Sequence, residues 1–238
     1  MLIGRILIVG AGGLGAPAAW ALARAGAASL TLIDPDPVEL SNLARQVIYR
    51  SDDLGTLKVE AAARRLRRSF PRLEITPLAL GFGADNGGAL AAAHDFIIDA
   101  TDDPAAKFLI NDFAISAGTA FVYGGVLAMT GQAMTVLPGR SACLRCLFEA
   151  PPDPGEAASC RDAGIIGPVA GLIAEIQAAE ALRFLGGEPP RLAGRMLTYD
   201  AAIAPRLRIA AVAARAGCGC GAALLSEPAA ARAAHPHQ

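Results

Sequence analysis

The sequence is short of three things: long uninterrupted apolar runs, an excess of charge of one sign, and histidine. Its most apolar helical stretch, Val169 to Leu185, is broken by Glu175, Gln177, Glu180 and Arg183, which argues against a membrane span. Twenty-one basic residues face 22 acidic ones, a formal net charge of -1. That balance gives no electrostatic ground for binding DNA or RNA, although it leaves room for a local basic patch around a phosphate. The three histidines are His94, His235 and His237. The first precedes an expected strand and the other two lie near the C-terminus, so none makes a convincing base or ligand. No internal repeat and no second hydrophobic domain is visible. A signal peptide is not expected either: Ile6 to Val9 runs straight into a glycine loop and the next segment carries Arg24. These absences together point to a cytoplasmic protein in a reducing compartment, where its five cysteines serve as ligands, nucleophiles or core residues rather than in disulfides.

What is present is a chain of 238 residues, 53% hydrophobic and 18% charged, enough for one large α/β domain with a sizeable core. Arg5 to Val9 reads as a buried strand, Gly10 to Gly15 as a tight loop, Ala16 to Ala25 as a helix stopped by Gly26, and Ser29 to Ile33 as a second strand ending at Asp34. This strand–loop–helix–strand unit opens a doubly wound fold. Lys58 to Phe70 reads as a helix with a basic outer face and Pro104 to Ala117 as another helix. Strands are expected at Ile75 to Leu80, Phe96 to Asp99, Ala120 to Tyr123 and Gln132 to Leu137. Glu149 to Ser159, rich in Pro, Ala and Gly, reads as a mobile surface loop. Val169 to Leu185 is a helix ended by Gly186 and Gly187, with late strands at Met196 to Asp200 and Arg206 to Ala211. The expectation is a Rossmann-like, mostly parallel sheet flanked by helices, with a C-terminal extension of antiparallel strands. Residues 1–221 would form one domain, with a nucleotide-binding half to about residue 125, and 222–238 a disordered tail.

Gly10, Gly12 and Gly15 form a G-x-G-x-x-G between a strand and a helix, which lets backbone approach a phosphate at a helix N-terminus. Asp34, at the end of the second strand, suits ribose hydroxyls. Taken alone, these residues favour a nicotinamide-dependent oxidoreductase. The following segment reverses the preference. It carries Asp36, then Ser41, Asn42, Arg45 and Gln46, then Lys58. A dehydrogenase has no use for that cluster, whereas a nucleoside triphosphate does: Arg45 and Lys58 can neutralise phosphate charge and Asn42 can hydrogen-bond it. A lone Lys58 would be read as a solvated lysine on a helix face.

Several stretches, in order, then resemble the ThiF/MoeB/HesA family, the bacterial relatives of ubiquitin-activating enzymes. They are VGAGGLG (Val9 to Gly15), LIDPDPVELSNLARQ (Leu32 to Gln46), GTLKVEAA (Gly55 to Ala62), DATDD (Asp99 to Asp103), CLRCLF (Cys143 to Phe148), SCRDAGIIGPVAG (Ser159 to Gly171) and AEIQAAEALRFLGG (Ala174 to Gly187). The resemblance runs from Arg5 to about Gly221. It implies ATP binding at Gly13, Asp34, Ser41, Asn42, Arg45 and Lys58, with Gln46 and Asp103 completing the nucleotide set and Asp102 binding magnesium. An Asp just past a strand end lies where ligands bind in such sheets, and a hard carboxylate suits magnesium; the competing reading of Asp102 is an N-cap for the helix Pro104 to Ala117. The implied reaction is adenylylation of the C-terminal glycine carboxylate of a ubiquitin-like sulfur carrier ending in Gly-Gly, by a symmetric homodimer, in thiamine- or molybdopterin-type sulfur transfer. That step needs positioning and electrostatic stabilisation but no nucleophile.

Cys143-x-x-Cys146 is a zinc half-site and Cys218-x-Cys220 a second, so four thiolates could close a structural site; the alternative is four unmetallated cysteines. The family pattern has C-x-x-C in the second pair, and the C-x-C here departs from it. Cys160, beside Arg161, occupies the position where the thiamine branch bonds covalently to its carrier; the other reading is a packing cysteine. Two further departures are Asp103, where the family has Asn, and the start of the chain close to its first strand, where the family carries an extra helical segment. They keep a third reading open, a catalytically degenerate carrier-binding module.

Overall fold

The computed structural model describes residues 2–152 and 164–221. Cys160, Arg161, most of the Glu149 to Ser159 segment, and residues 222–238 lie outside the described residues. The fold is an eight-stranded sheet in the order β3-β2-β1-β4-β5-β6-β7-β8. The strands are β1 (Leu2–Val9), β2 (Ala27–Ile33), β3 (Glu74–Leu78), β4 (Phe96–Asp99), β5 (Ala120–Leu127), β6 (Thr130–Val136), β7 (Arg195–Asp200) and β8 (Leu207–Ala211). The first five pair in parallel and the last three antiparallel. Among the described residues the helices are α1 (Gly15–Arg24), α2 (Lys58–Ser69), α3 (Gly87–Ala93), α4 (Pro104–Ala117), α5 (Leu144–Leu147) and α6 (Gly167–Leu185).

Alternation along the central strands divides the core into two layers. Ile6, Ile8, Leu30, Leu32, Phe96 and Ile98 face α1, α2 and α6, while Leu7, Val9, Ile33, Ile97 and Phe121 face α3, α4 and α5. These strands are apolar on both faces because both faces are covered. The antiparallel extension agrees with expectation, and β5 continues four residues past Tyr123 to make a hairpin with β6. Helix α3 was not legible in the sequence: GGALAAA has no apolar stripe to reveal a period. It forms because Gly87 lets the backbone pack on the Phe113 ring, to which a Cβ there would come within 2.5 Å.

The long helix α6 is a core element. Glu180 is buried, and its two oxygens accept from Thr135 Oγ1 (2.7 Å), Leu192 N (2.7 Å) and Arg191 N (2.9 Å), so burial of the charge is compensated by three donors. No helix among the described residues is long and apolar enough to cross a membrane.

The register decides where the site lies. Leu78, Ile33, Val9, Asp99 and Tyr123 stand in one row across five parallel strands, so the loops that follow them leave from the same edge. The order reverses between β1 and β4. That is the switch point at which a parallel sheet opens a crevice beyond its carboxyl ends.

Candidate nucleotide site

A cavity of about 1110 Å3 fills this crevice. Gly10, Gly12, Gly13, Asp34, Ser41, Asn42, Arg45, Gln46, Lys58, Asp102 and Asp103 all line it. Gly15 is the candidate that does not. Its missing Cβ would lie 1.7 Å from the Gly10 carbonyl oxygen, so this glycine exists to let α1 start tight against the loop. Gly10 adopts φ +95°, and a Cβ there would come within 2.7 Å of the Ala100 carbonyl. Gly12 and Gly13 differ: within the protein their Cβ atoms would meet nothing closer than 3.5 Å. Protein packing does not require glycine at these two positions, which leaves open space on the cavity wall. No side chain caps the N-terminus of α1; Ala16 N and Ala18 N donate to the Gly12 and Leu14 carbonyls at 3.2 and 3.0 Å and residue 17 is proline, so the helix offers an anion its dipole and the Gly15 amide.

Asp34 is only 7% exposed. Burial, acting against bonds from Ala11 and Asp36 and the charge of Lys58, raises its pKa above the usual carboxylate value. Lys58 is also 7% exposed, so the solvated-lysine reading fails. Its ammonium sits 2.8 Å from Asp36 and 3.8 Å from Asp34 at the start of α2. Tyr49 locks this corner by donating from Oη to the Ala11 carbonyl at 2.7 Å.

Asn42 ends a short 3-10 turn, Leu40–Asn42, and its Oδ1 accepts from Glu39 N (3.1 Å). Arg45 donates to the Ser41 carbonyl at 3.0 Å while its side chain reaches the cavity. Gln46 is 3% exposed and its Oε1 has no hydrogen-bond partner among the described residues. A buried amide oxygen left unpaired inside a cavity fits a site made to receive a polar ligand.

The two carboxylates after β4 have different surroundings. Asp103, not Asp102, caps α4, its Oδ1 accepting from Ala105 N at 2.9 Å. That corrects the N-cap reading of Asp102, whose side chain makes no hydrogen bond or ion pair among the described residues and faces the cavity.

Sequence reasoning missed a pair behind them. Asp99 is fully buried and Lys107 Nζ lies 3.2 and 3.3 Å from its oxygens. Burial raises the Asp99 pKa, with Lys107 opposing. The signal was available: an Asp ending a strand buried on both faces requires a counter-ion, and α4 offers a lysine one turn in.

The cysteines form a separate cluster on the α4 face. The four sulfur atoms of Cys143, Cys146, Cys218 and Cys220 lie within 4.8 Å of one another, with neighbouring separations of 3.4 to 3.9 Å. Thiolates around a tetrahedral zinc, each about 2.3 Å from it, stand about 3.8 Å apart. The C-x-C pair thus reaches as far as C-x-x-C would, and the residues fit the ion. Burial pushes the Cys143 thiol up to about 11. Burial also acts to raise the Cys146 thiol, but bonds from the backbone of Arg215 and Cys143 outweigh it and bring it down to about 7.

The chain is similar to known proteins in sequence and in fold. The chain is 40% identical over 201 residues to the SAMP-activating enzyme E1 of Haloferax volcanii, covering 84% of this chain and 74% of that protein. It is 35% identical over 201 residues to a sulfur carrier protein adenylyltransferase of Thermus thermophilus, with 82% and 74% covered. Against the adenylyltransferase and sulfurtransferase uba4 of Aspergillus fumigatus it is 38% identical over 226 residues, but spans only 45% of that protein. The fold is that of Escherichia coli MccB, solved with ATP, at a TM-score of 0.79 and 20% identity, covering 92% of this chain and 66% of that one. The ThiF family model matches residues 2–220, and the chain belongs to the ThiF family.

Proposed function

We propose that this protein uses ATP to adenylylate the C-terminal glycine carboxylate of a ubiquitin-like sulfur carrier, releasing pyrophosphate. The observation that carries the reading is the convergence, in one cavity at the β1–β4 switch point, of a glycine loop, Asp34, the Asn42–Arg45–Lys58 cluster and a free carboxylate at Asp102. The relatives named as adenylyltransferases and as a SAMP-activating enzyme support it, and they weigh against a nicotinamide-dependent oxidoreductase.

The glycine loop and the α1 N-terminus receive phosphate oxygens. Asp34 accepts from the ribose hydroxyls, and Asn42, Arg45 and Lys58 hold the phosphates and stabilise the charge that grows on departing pyrophosphate. Gln46 and Asp103 line the same nucleotide. Asp102 holds magnesium, which when bound offsets charge on the phosphate oxygens. The carrier's carboxylate oxygen then attacks the α-phosphorus in line; the P–O bond to pyrophosphate breaks and the acyl-adenylate forms. The cavity continues over β5 and β6 past Val126, Leu127 and Thr130, a route for an extended Gly-Gly tail. The nucleotide half therefore extends to about residue 125 and the carrier half from 126 to 221 of one domain.

Cys143, Cys146, Cys218 and Cys220 hold a structural zinc that ties α5 to the C-terminal turn, and such reduced thiols suit a cytoplasmic protein. Leu40 and Val47, 73% and 79% exposed beside the nucleotide-binding segment, suit burial in a homodimer. Cys160 is reserved for sulfur delivery after activation, in thiamine- or molybdopterin-type transfer. ATP–pyrophosphate exchange with purified carriers ending in Gly-Gly tests the reading. Carrier-dependent exchange supports it, and carrier binding without exchange establishes a degenerate binding module instead.

A further inference from the structure

We propose that Lys107 is a positioning residue for Asp102: by clamping Asp99 it fixes the turn from Thr101 to Asp103 so that the Asp102 carboxylate is aimed at the metal. The inference rests on the reading of Asp102 as the ligand for the magnesium of MgATP.

Lys107 lines the cavity, yet its ammonium has nothing to give a nucleotide. Its three N–H donors are matched by three acceptors: Asp99 Oδ1 at 3.2 Å, Asp99 Oδ2 at 3.3 Å and the Gly124 carbonyl at 2.6 Å. The Tyr123 ring, with its centroid 5.0 Å from Nζ, closes another side. Lys58 differs, with a single short bond to Asp36 and donors to spare.

From Asp99 the bonds lead to the metal turn. Asp99 Oδ1 accepts from Thr101 N at 3.2 Å, and Thr101 Oγ1 accepts from Asp103 N at 2.9 Å. Asp103 caps α4 through Ala105 N, and Lys107 N donates back to the Asp103 carbonyl at 3.1 Å. On the opposite face of the sheet, Gln177 Nε2 donates to the Asp99 carbonyl at 2.7 Å. The residues flanking Asp102 are thus held from both sides, while its own side chain is left for a ligand. Loss of the Lys107 ammonium removes the cation that holds the Asp99 carboxylate in place, and with it the anchor for Thr101 N. Partners bonded directly to a ligating group affect metal affinity about 10- to 100-fold, and Lys107 acts one step further back through the Thr101 amide, so the lower end, about tenfold, is expected.

The test measures metal binding directly. Mn2+, as a paramagnetic stand-in, is titrated into protein saturated with a methylene-bridged ATP analogue and followed by electron paramagnetic resonance. Lys107→Met should weaken Mn2+ binding about tenfold while metal-free binding of the analogue is unchanged, and Lys107→Arg should recover most of the loss. In an Asp102→Ala background, Lys107→Met should have no further effect, because it acts through that carboxylate. Asp99→Val/Lys107→Met leaves no buried charge unpaired, so it should stay folded and show the same weakening. Wild-type Mn2+ affinity in folded Lys107→Met or in the folded double variant overturns the proposal. A full further loss in the Asp102→Ala background does so too. If Asp102→Ala itself binds Mn2+ like the wild type, the reading of Asp102 fails first, which separates the two claims.

Discussion

Asp34 Oδ2 accepts a 2.8 Å hydrogen bond from the backbone N–H of Ala11, joining the end of β2 to the middle of the glycine loop. Its Oδ1 accepts from Asp36 N at 2.9 Å. The carboxylate therefore shapes the phosphate loop in addition to the ribose contact proposed for it. Asp34→Ala should weaken ATP binding by about 100-fold, more than one lost ligand contact, whereas Asp34→Asn, which keeps one acceptor, should lose less. Calorimetric titration checks the order, and equal affinities in the wild type and Asp34→Ala would refute it.

Asp102→Ala should leave the fold untouched, since the side chain is exposed and makes no bond among the described residues. Pyrophosphate exchange should fall by about two orders of magnitude or more, because a metal-binding carboxylate contributes several kcal/mol at the phosphates. A melting curve and an exchange assay on the same sample are needed. Near-normal exchange removes Asp102 from the mechanism.

Purified protein should carry about one zinc per chain. Stripping it breaks the link between α5 and the C-terminal turn and should lower the melting temperature, by about 2–4 °C for each kcal/mol of stability lost in a domain of this size. Elemental analysis and thermal melts with and without chelator read both quantities. A metal-free protein with an unchanged melt would show that the cluster is four packed thiols.

Asp53 gives a pH dependence away from the cavity. Its carboxylate is buried and binds Arg64 at 2.7 Å, Arg65 at 2.5 Å and Arg50 N at 2.9 Å. Burial acts to raise its pKa, but the bonds from Arg65, the Arg50 amide and Arg64 together hold it below the usual value. A depressed carboxylate stabilises the fold above its unfolded pKa of about 4, and that stability drains away as pH falls through the folded value. Asp53→Asn should therefore lower stability at pH 7 by about 1–3 kcal/mol and flatten the loss between about pH 4 and 2. Denaturant midpoints across that range decide it, and parallel acid profiles for the two proteins would exclude Asp53 as a source.

Local patterns carried much of the architecture. Strand β4 and helix α4 fall where Phe96 to Asp99 and Pro104 to Ala117 predict them, because an uninterrupted apolar run and a Pro at N1 are signals within a few residues. The residues that line the cavity were singled out for a similar reason: glycine, Asn, Arg and Lys in close order suit a phosphate chain, and the structure brings them to one crevice. Helix α3 escaped, since it depends on Phe113, 26 positions beyond Gly87, for its packing. The Asp99–Lys107 pair escaped as well. Both residues were plain in the sequence, but their meaning depends on complete burial of one and on the Gly124 carbonyl reaching the other.

The sequence by itself determined a doubly wound domain, its family, and the chemistry its loops offer, because hydrophobic period and glycine spacing are written along the chain. Tertiary structure alone decided which acidic residue after β4 is spent on the helix and which keeps its side chain unbonded among the described residues. It also decided that Lys58 is buried beside Asp34 and that Cys218 and Cys220 meet cysteines 75 and 74 positions away. These are questions of distance and dielectric between residues remote in sequence. The register of five parallel strands, which aligns Leu78, Ile33, Val9, Asp99 and Tyr123 at one edge, settles them.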